Sequence, residues 1–383
     1  MTSDDDRFFA LAMRLAERGL GRSWPNPAVG AVLVREEQYP LVAGRGWTQD
    51  GGMPHAETVA LEAAGGRAKD ATLYVTLEPC AHHGRTPPCA DAIIAAGISR
   101  VVVGHRDPDN RVSGAGFSRL REAGIEVVNG AANFEKALYW LNAGHVLRQT
   151  ENRPFVQLKL ALGADGLIAP GDGGAPQWVT GPAARAHGHL LRARADAILV
   201  GRGTVLADDP ALTCRLPGMA GRSPVRVVAD SALRTETGAK LFRDLPDVPL
   251  WFVSASSVDE DRADVLRAAG AEIVAVGGKT DQSGIEPGAL LNALAGRGIT
   301  RLLVEGGPKI AGAFLNAGLI DEAVIFESDK RVGARGLKPF HEQGLDALTG
   351  TQEFSPVEHR MFGSDRMTVY RRDVIPKEIM IDP

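Results

Sequence analysis

Three cysteines in 383 residues are too few for a disulfide framework. A reduced, cytoplasmic compartment is therefore expected. No apolar run reaches the roughly 18 residues that span a bilayer. The N-terminus also lacks a basic segment followed by an apolar one, so neither a membrane partner nor a secretory leader is expected. Basic excess is missing too, since the formal net charge is −4. Sequence-independent binding to nucleic acid needs a basic face, so no nucleic-acid partner is expected. No G-x-G-x-x-G opens an early βαβ unit, which disfavours a Rossmann dinucleotide fold. What is present is ordinary for a globular protein, 44% hydrophobic and 23% charged, with length for two or three domains.

The first ~150 residues alternate helical and strand patterns. Asp4 to Gly21 has apolar residues at helical spacing, acids at its start and glycines near its end. Ala28–Val34 is a β-branched run that suits a buried strand. His55 to Gly66 reads as a helix ended by glycines, and Thr72–Pro79 as a strand stopped by proline. Cys89 to Gly97 reads as a short helix, Arg100–His105 as a strand, Phe117–Gly124 as a helix and Ile125–Val128 as another strand. This rhythm implies a three-layer α/β domain. The polar stretch Arg148–Pro154 marks a boundary, giving domains 1–149 and 150–383. Beyond it, strands fit Phe155 to Leu162, Ala197–Gly201, Val225–Asp230, Leu250–Ala255, Arg301–Gly307 and Ala323–Ser328. Helices fit the segments around 183–195, 260–270 and 308–318.

Chemistry concentrates in two stretches, "PHAETVALEAAGG" from Pro54 and "LEPCAHHGRTPPC" from Leu77. His55, Cys80 and Cys89 are all good zinc ligands, and three protein ligands leave a fourth position for water. Zinc lowers the pKa of that water toward ~7. His55 and Glu57 are two apart, a spacing that points them away from each other within a helix. At a helix entrance, where the backbone is not yet helical, both can turn toward one point. His55 then binds metal while Glu57 stays off it and shuttles the proton to a ring nitrogen and the leaving amine. This is the H-x-E plus P-C arrangement of zinc nucleobase deaminases, although eight residues separate Cys80 from Cys89 where two are usual. A closed structural zinc site, with His82 or His83 as fourth ligand, is the competing reading of the same letters. A zinc-stabilised binding module is another.

"HAE", "TLEPCAHHGRTPPC", "PNPAVG" and "DPDNRVSGAGFSRLREAGIEV" in the first half resemble the riboflavin-biosynthesis bifunctional deaminase–reductase family. So do "LADDPALTCR" and "VEGGPKIAGAFL" in the second. The resemblance spans nearly the whole chain. It implies a cytidine-deaminase-like three-layer α/β/α domain followed by a dihydrofolate-reductase-like α/β domain. It also implies two reactions on one phosphorylated pyrimidine: zinc-dependent hydrolytic deamination of 2,5-diamino-6-ribosylamino-4(3H)-pyrimidinone 5′-phosphate, then NADPH-dependent reduction of the ribosyl chain to ribityl. A homo-oligomer, dimer or tetramer, is expected with it. The alternative is a nucleoside or nucleic-acid deaminase with an accessory C-terminal domain.

By matching positions, the resemblance assigns zinc to His55, Cys80 and Cys89, the proton shuttle to Glu57, and pyrimidine recognition to Asn26. It assigns cofactor contacts to Ala161, Trp178, Thr204, Asp208, Ser231 and the run Gly307, Pro308, Lys309, Ile310, Ala311, Gly312 and Ala313. Substrate contacts fall to Lys159, Pro176, Arg192, Leu212, Arg215 and Glu305. Some of this has support from the residues alone. Gly306 and Gly307 between a strand and a helix opened by Pro308 suit an anion at the helix start. Guanidinium forks such as those of Arg192 and Arg215 suit phosphate oxygens. Lys159 and Glu305 are expected at strand ends, where α/β folds gather ligand groups. For Arg192, a solvated helical face is the alternative.

Overall fold

The computed structural model describes residues 3–84, 87–109, 113–130, 133–169, 178–277 and 284–372. Two compact units divide between Glu151 and Asn152.

The first unit opens with α1 (Ser3–Ala16), whose first turn carries Asp4, Asp5 and Asp6 where the helix dipole favours acids. There follow β1 (Gly30–Arg35), β2 (Leu41–Trp47), α2 (Ala56–Ala64), β3 (Thr72–Leu77) and α3 (Cys89–Ala95). The unit continues with β4 (Arg100–His105), α4 (Ala115–Glu122), β5 (Glu126–Asn129) and α5 (Glu135–Glu151). The sheet order is β2-β1-β3-β4-β5. β1 runs antiparallel to both neighbours, whereas β3, β4 and β5 are parallel.

Strand side chains alternate between faces, and the two cores follow that alternation. Leu33, Leu73, Val75, Val101 and Val103 pack with Ala56, Ala60 and Ala64 of α2, Ile93 of α3 and Phe117 and Leu120 of α4. Val32, Val34, Tyr74 and Val102 point the other way, onto Phe8, Phe9 and Leu15 of α1 and Leu138 of α5. Helices thus cover both faces, which makes the three layers. β3 is buried along its whole length, as a central strand should be.

Strand β2 has no counterpart in the sequence reading. Gly44 and Gly46 interrupt its apolar run, and glycine weakens a strand pattern. Tertiary packing explains Gly46, because a Cβ there would lie 2.3 Å from the Ala56 carbonyl oxygen of α2.

The second unit contains β6 (Phe155–Leu162), α6 (Pro182–Ala193), β7 (Ala197–Gly201), α7 (Arg202–Asp208), β8 (Val225–Ala229) and β9 (Leu250–Ala255). Next come α8 (Glu260–Ala268), β10 (Glu272–Val276), α9 (Pro287–Gly296), β11 (Arg301–Val304) and α10 (Pro308–Asn316). The unit ends with β12 (Glu322–Glu327), α11 (Asp346–Thr349), β13 (Phe354–Phe362) and β14 (Asp365–Arg372). Among the described residues its nine strands are ordered β10-β9-β8-β7-β11-β6-β12-β14-β13. All are parallel through β12, and β14 and β13 close the sheet antiparallel. Buried Asp196 fixes the start of β7 to that of β11. One of its oxygens accepts from the Thr300 amide and hydroxyl and from the Arg301 amide, at 2.7–2.8 Å. The sequence pattern missed β10 and the β13–β14 hairpin. The burial pattern of β13 shows no regular alternation, as fits a strand at the sheet edge.

Gly30 lets α1 pack directly on β1: a Cβ there would lie 1.9 Å from the Ala12 carbonyl oxygen. Gly30→Ala is expected to lower the stability of the first unit by about 3 kcal/mol through backbone displacement. Gly66→Ala, where a Cβ meets nothing within 4 Å, should change it by less than about 0.5 kcal/mol. Thermal melts of the two variants against the parent protein check this.

Candidate active sites

His55 is the N-cap of α2, with extended backbone (φ −68°, ψ 159°), and Glu57 lies in the first helical turn. The change of backbone between them lets both side chains approach one place. Cys80 lies three residues beyond β3, and Cys89 is the first residue of α3. His55 Nδ1 is 3.3 Å from Cys89 Sγ and 3.8 Å from Cys80 Sγ. The Cys89 amide donates to Cys80 Sγ at 3.3 Å. The three ligand atoms all lie within 4.8 Å of one another. Among the described residues no fourth side chain joins them, and neither His82 nor His83 does so. The arrangement therefore suits an open site better than a closed one.

The electrostatics agree with a metal position. The Cys80 thiol is drawn down to about 4, chiefly by the hydrogen bond from Cys89, with His55 adding to the effect. Cys89 is pushed upward, first by its bond to the Cys80 thiolate and then by burial. Without a cation, two adjacent sulfurs resist carrying charge together. A divalent ion would relieve that, and the N/S/S donor set is one that zinc favours. Glu57 is 4% exposed, and burial raises its pKa. A carboxyl that holds a proton more readily than usual suits a proton-exchange role.

A cavity of about 460 Å³ opens over these groups, lined in part by Asn26, His55, Glu57, Cys80, His82 and Asp107. Asn26 donates to the Gly52 carbonyl at 2.9 Å, and its amide nitrogen is 3.5 Å from His55 Nε2. Thr48 also lines this cavity, but its hydroxyl accepts from the Val29 amide and braces β1.

One residue that sequence reasoning missed organises the wall. Glu78 is buried just past β3, and its carboxylate accepts from the amides of Asp107, Gly114, Gly116 and Phe117. Its place in "LEPC" was the only available signal; its partners are backbone amides and leave no mark in the letters.

In the second unit the structure brings together Lys159, Arg192 and Glu305. Arg192 grips Glu305 through two bonds of 2.8 and 2.9 Å and donates to the Thr213 carbonyl at 3.0 Å. The solvated-face alternative for Arg192 is thereby excluded. Arg192 and Lys159 together hold Glu305 down at about 2, against the upward push of its own burial. Lys159 is shifted downward by burial. It lies in the middle of β6, not at a strand end as expected, because β6 continues to Leu162. Glu305 does follow the last residue of β11. The Arg215 amide donates to His189 Nδ1 at 3.3 Å, while Leu212 is buried with φ +56°.

A second group forms around the start of α10. The Gly307 amide donates to the Thr204 hydroxyl at 3.0 Å, tying the end of β11 to α7. Gly307 is the N-cap and Pro308 the first helical residue. Lys309 and Ile310 follow at the helix opening. Ala311 and Gly312 are buried, Gly312 against the Phe340 carbonyl, while Ala313 is exposed. Asp208 ends α7 and is raised by burial. Ser231 follows β8, and its carbonyl accepts from the Ala255 amide. Ala161 pairs with Phe326 across β6 and β12. Trp178 is 57% exposed, with the Arg185 guanidinium 4.9 Å from its ring centre. Pro176 lies outside the described residues.

The two sites define a class: a zinc-site deaminase domain joined to a reductase domain in one chain. Comparison with known proteins agrees. Residues 2–105 match the cytidine and deoxycytidylate deaminase zinc-binding region, and residues 154–367 match the RibD C-terminal domain. The riboflavin biosynthesis protein RibD of Escherichia coli is 39% identical over 94% of this chain and 97% of its own length. The RibD of Aquifex aeolicus is 39% identical over 96% and 98%. Among solved structures, a Thermotoga maritima diaminohydroxyphosphoribosylaminopyrimidine deaminase/5-amino-6-(5-phosphoribosylamino)uracil reductase is similar. It superposes with a TM-score of 0.79 at 34% identity, covering 96% of this chain and 98% of that one. Acinetobacter baumannii RibD gives a TM-score of 0.82 at 32% identity, covering 97% and 99%. The chain belongs to the RibD family of riboflavin-biosynthesis enzymes, with both the deaminase and the reductase domain. The reading of the C-terminal half as a mere accessory to a nucleic-acid deaminase is not favoured.

Glu305→Gln would leave Arg192 buried with a neutral partner. A stability loss of about 3 kcal/mol is expected, measured as a lower denaturant midpoint for the second unit.

Proposed function

We propose that residues 1–149 deaminate 2,5-diamino-6-ribosylamino-4(3H)-pyrimidinone 5′-phosphate and that residues 150–383 reduce the ribosyl chain of the product with NADPH. The observation that carries the first step is Glu57, buried beside His55, Cys80 and Cys89 at one cavity. A structural zinc site has no need of a buried, unligated carboxyl at its edge. Zinc held by these three residues would supply Lewis acidity and a hydroxide nucleophile at neutral pH. Glu57 takes up the proton released there and passes it to the pyrimidine ring nitrogen; it then takes the proton of the hydroxyl that has added to the ring carbon and gives it to the departing amine, so that the C–N bond breaks as the carbonyl forms. Asn26 meets the pyrimidine edge, its amide fixed by the Gly52 carbonyl.

In the reductase, hydride transfer depends on alignment, and the cofactor carries the chemistry. Lys159, Arg192, Leu212, Arg215, Glu305 and Pro176 form the proposed substrate side. Because Glu305 already engages Arg192, the pair presents a pre-set geometry to the ribosyl phosphate, with Arg215 beside it. Ala161, Trp178, Thr204, Asp208, Ser231 and the Gly307 to Ala313 run form the proposed NADPH side. The Thr204–Gly307 bond supports this grouping, since it joins two of those segments. The proposed assembly is a homo-oligomer in the cytoplasm, and three cysteines outside any disulfide suit such a reducing compartment.

Incubating zinc-loaded protein with the diaminopyrimidine phosphate should release ammonia. NADPH oxidation should follow only after that release. Glu57→Gln is expected to keep zinc, as measured by elemental analysis, and to slow ammonia release by at least about a hundredfold. NADPH oxidation with pre-deaminated substrate should persist in this variant. Loss of both activities in a folded variant would contradict separate sites. Chelation of the metal is expected to stop ammonia release, reversibly on adding zinc, while leaving reduction of the deaminated compound intact.

A further inference from the structure

Asp107 and His145 face one another at the wall of the deaminase cavity, and neither is required by the proton shuttle described above. Asp107 lies two residues past β4, and His145 lies within α5. Both line the cavity, and both are more than nine-tenths buried. His145 Nε2 is 3.0 Å from Asp107 Oδ1. A carboxylate only accepts, so Nε2 carries the hydrogen and donates it. The same Oδ1 accepts from the Asp109 amide at 2.9 Å, and the Asp107 amide donates to Glu78 Oε2 at 3.2 Å. Asp107 is therefore held from three directions: by its own loop, by β3 through Glu78, and by α5 through His145. Among the described residues nothing donates to its other oxygen, Oδ2.

A buried carboxylate with one oxygen held by two donors keeps its acceptor capacity at the other. That oxygen repels a phosphate and accepts from a hydroxyl or N–H. The metal ligands, Glu57 and Asn26 occupy the part of the cavity assigned to the heterocycle. The donor left for Asp107 is then a hydroxyl of the sugar arm. We infer that His145 is a positioning residue of the deaminase: it fixes Asp107 so that Oδ2 accepts from a ribosyl hydroxyl of the substrate. This inference rests on the deaminase reading above. It also gives α5 a function in substrate discrimination, because a pyrimidine lacking that hydroxyl leaves a buried carboxylate oxygen unpaired.

The test uses steady-state ammonia release by zinc-loaded, full-length protein. His145→Phe replaces the ring without its donor. KM is expected to rise about tenfold while kcat stays within about threefold. The amide of His145→Gln can donate to Asp107 from near the position of Nε2, and KM should return to within about twofold of the parent. In an Asp107→Asn background, His145→Phe should add less than about a further twofold, because the two act as one unit. Zinc content and reduction of pre-deaminated substrate report folding. If the Phe variant does not fold, His145→Asn, too short to reach Asp107, replaces it with the same expectation. An unchanged KM, a fall in kcat alone, or losses that multiply across the double variant would each overturn the inference. Failure of the parent protein to release ammonia overturns the deaminase reading itself. A working parent with an indifferent His145 variant overturns this inference alone.

Discussion

The carboxylate of Glu78 gathers four backbone amides from the segment after β4, and the deaminase cavity is built around that act. β3 delivers Glu78 and Cys80 within three residues of its end. One holds the wall while the other faces the metal position. An ionised carboxylate in a buried place is costly unless its oxygens are filled. Here the amides of Asp107, Gly114, Gly116 and Phe117 fill them. The wall is consequently registered to the metal ligands by a short rigid link and not by loop packing.

The two sites handle charge in opposite ways. In the reductase unit Arg192 and Glu305 form a buried ion pair with Lys159 close by, and Glu305 sits far below the ordinary carboxylate range. In the deaminase unit Cys80, Cys89 and Glu57 compete: burial pushes Glu57 toward its neutral form, and the bond to Cys80, with burial adding to it, does the same to Cys89. The first arrangement holds a shape. The second leaves a deficit of positive charge that a divalent cation would fill.

How much could be read from the letters follows from this difference. His55, Glu57, Cys80 and Cys89 were legible because ligand chemistry resides in residue type, and the prolines and strand–helix pattern placed those types together. Most strands were legible as well, since Ala197–Gly201, Leu250–Ala255 and Arg100–His105 are continuous apolar runs between turns. β2 was not, because its glycines serve a helix packed on it. The edge hairpin β13–β14 was not, because its pattern follows no single face. Glu78 and His145 were hidden for another reason: their partners are amides and a carboxylate brought from 29 to 39 positions away. In the reductase the grouping of Arg192 with Glu305 needed the family resemblance, since they lie 113 positions apart and a helical arginine reads by default as solvated.

Gly46 carries a constraint that its own backbone does not impose. It lies against the carbonyl of Ala56, the residue between His55 and Glu57. The thickness of strand β2 at that point therefore sets how deep the tip of α2 can sink toward the two sulfurs. Even one methyl group there would act as a shim under the helix, lifting nitrogen and carboxyl together and widening the gap a metal must bridge. The distance from His55 to the two sulfurs is thus gauged from the far side of α2, by an atom that is not there.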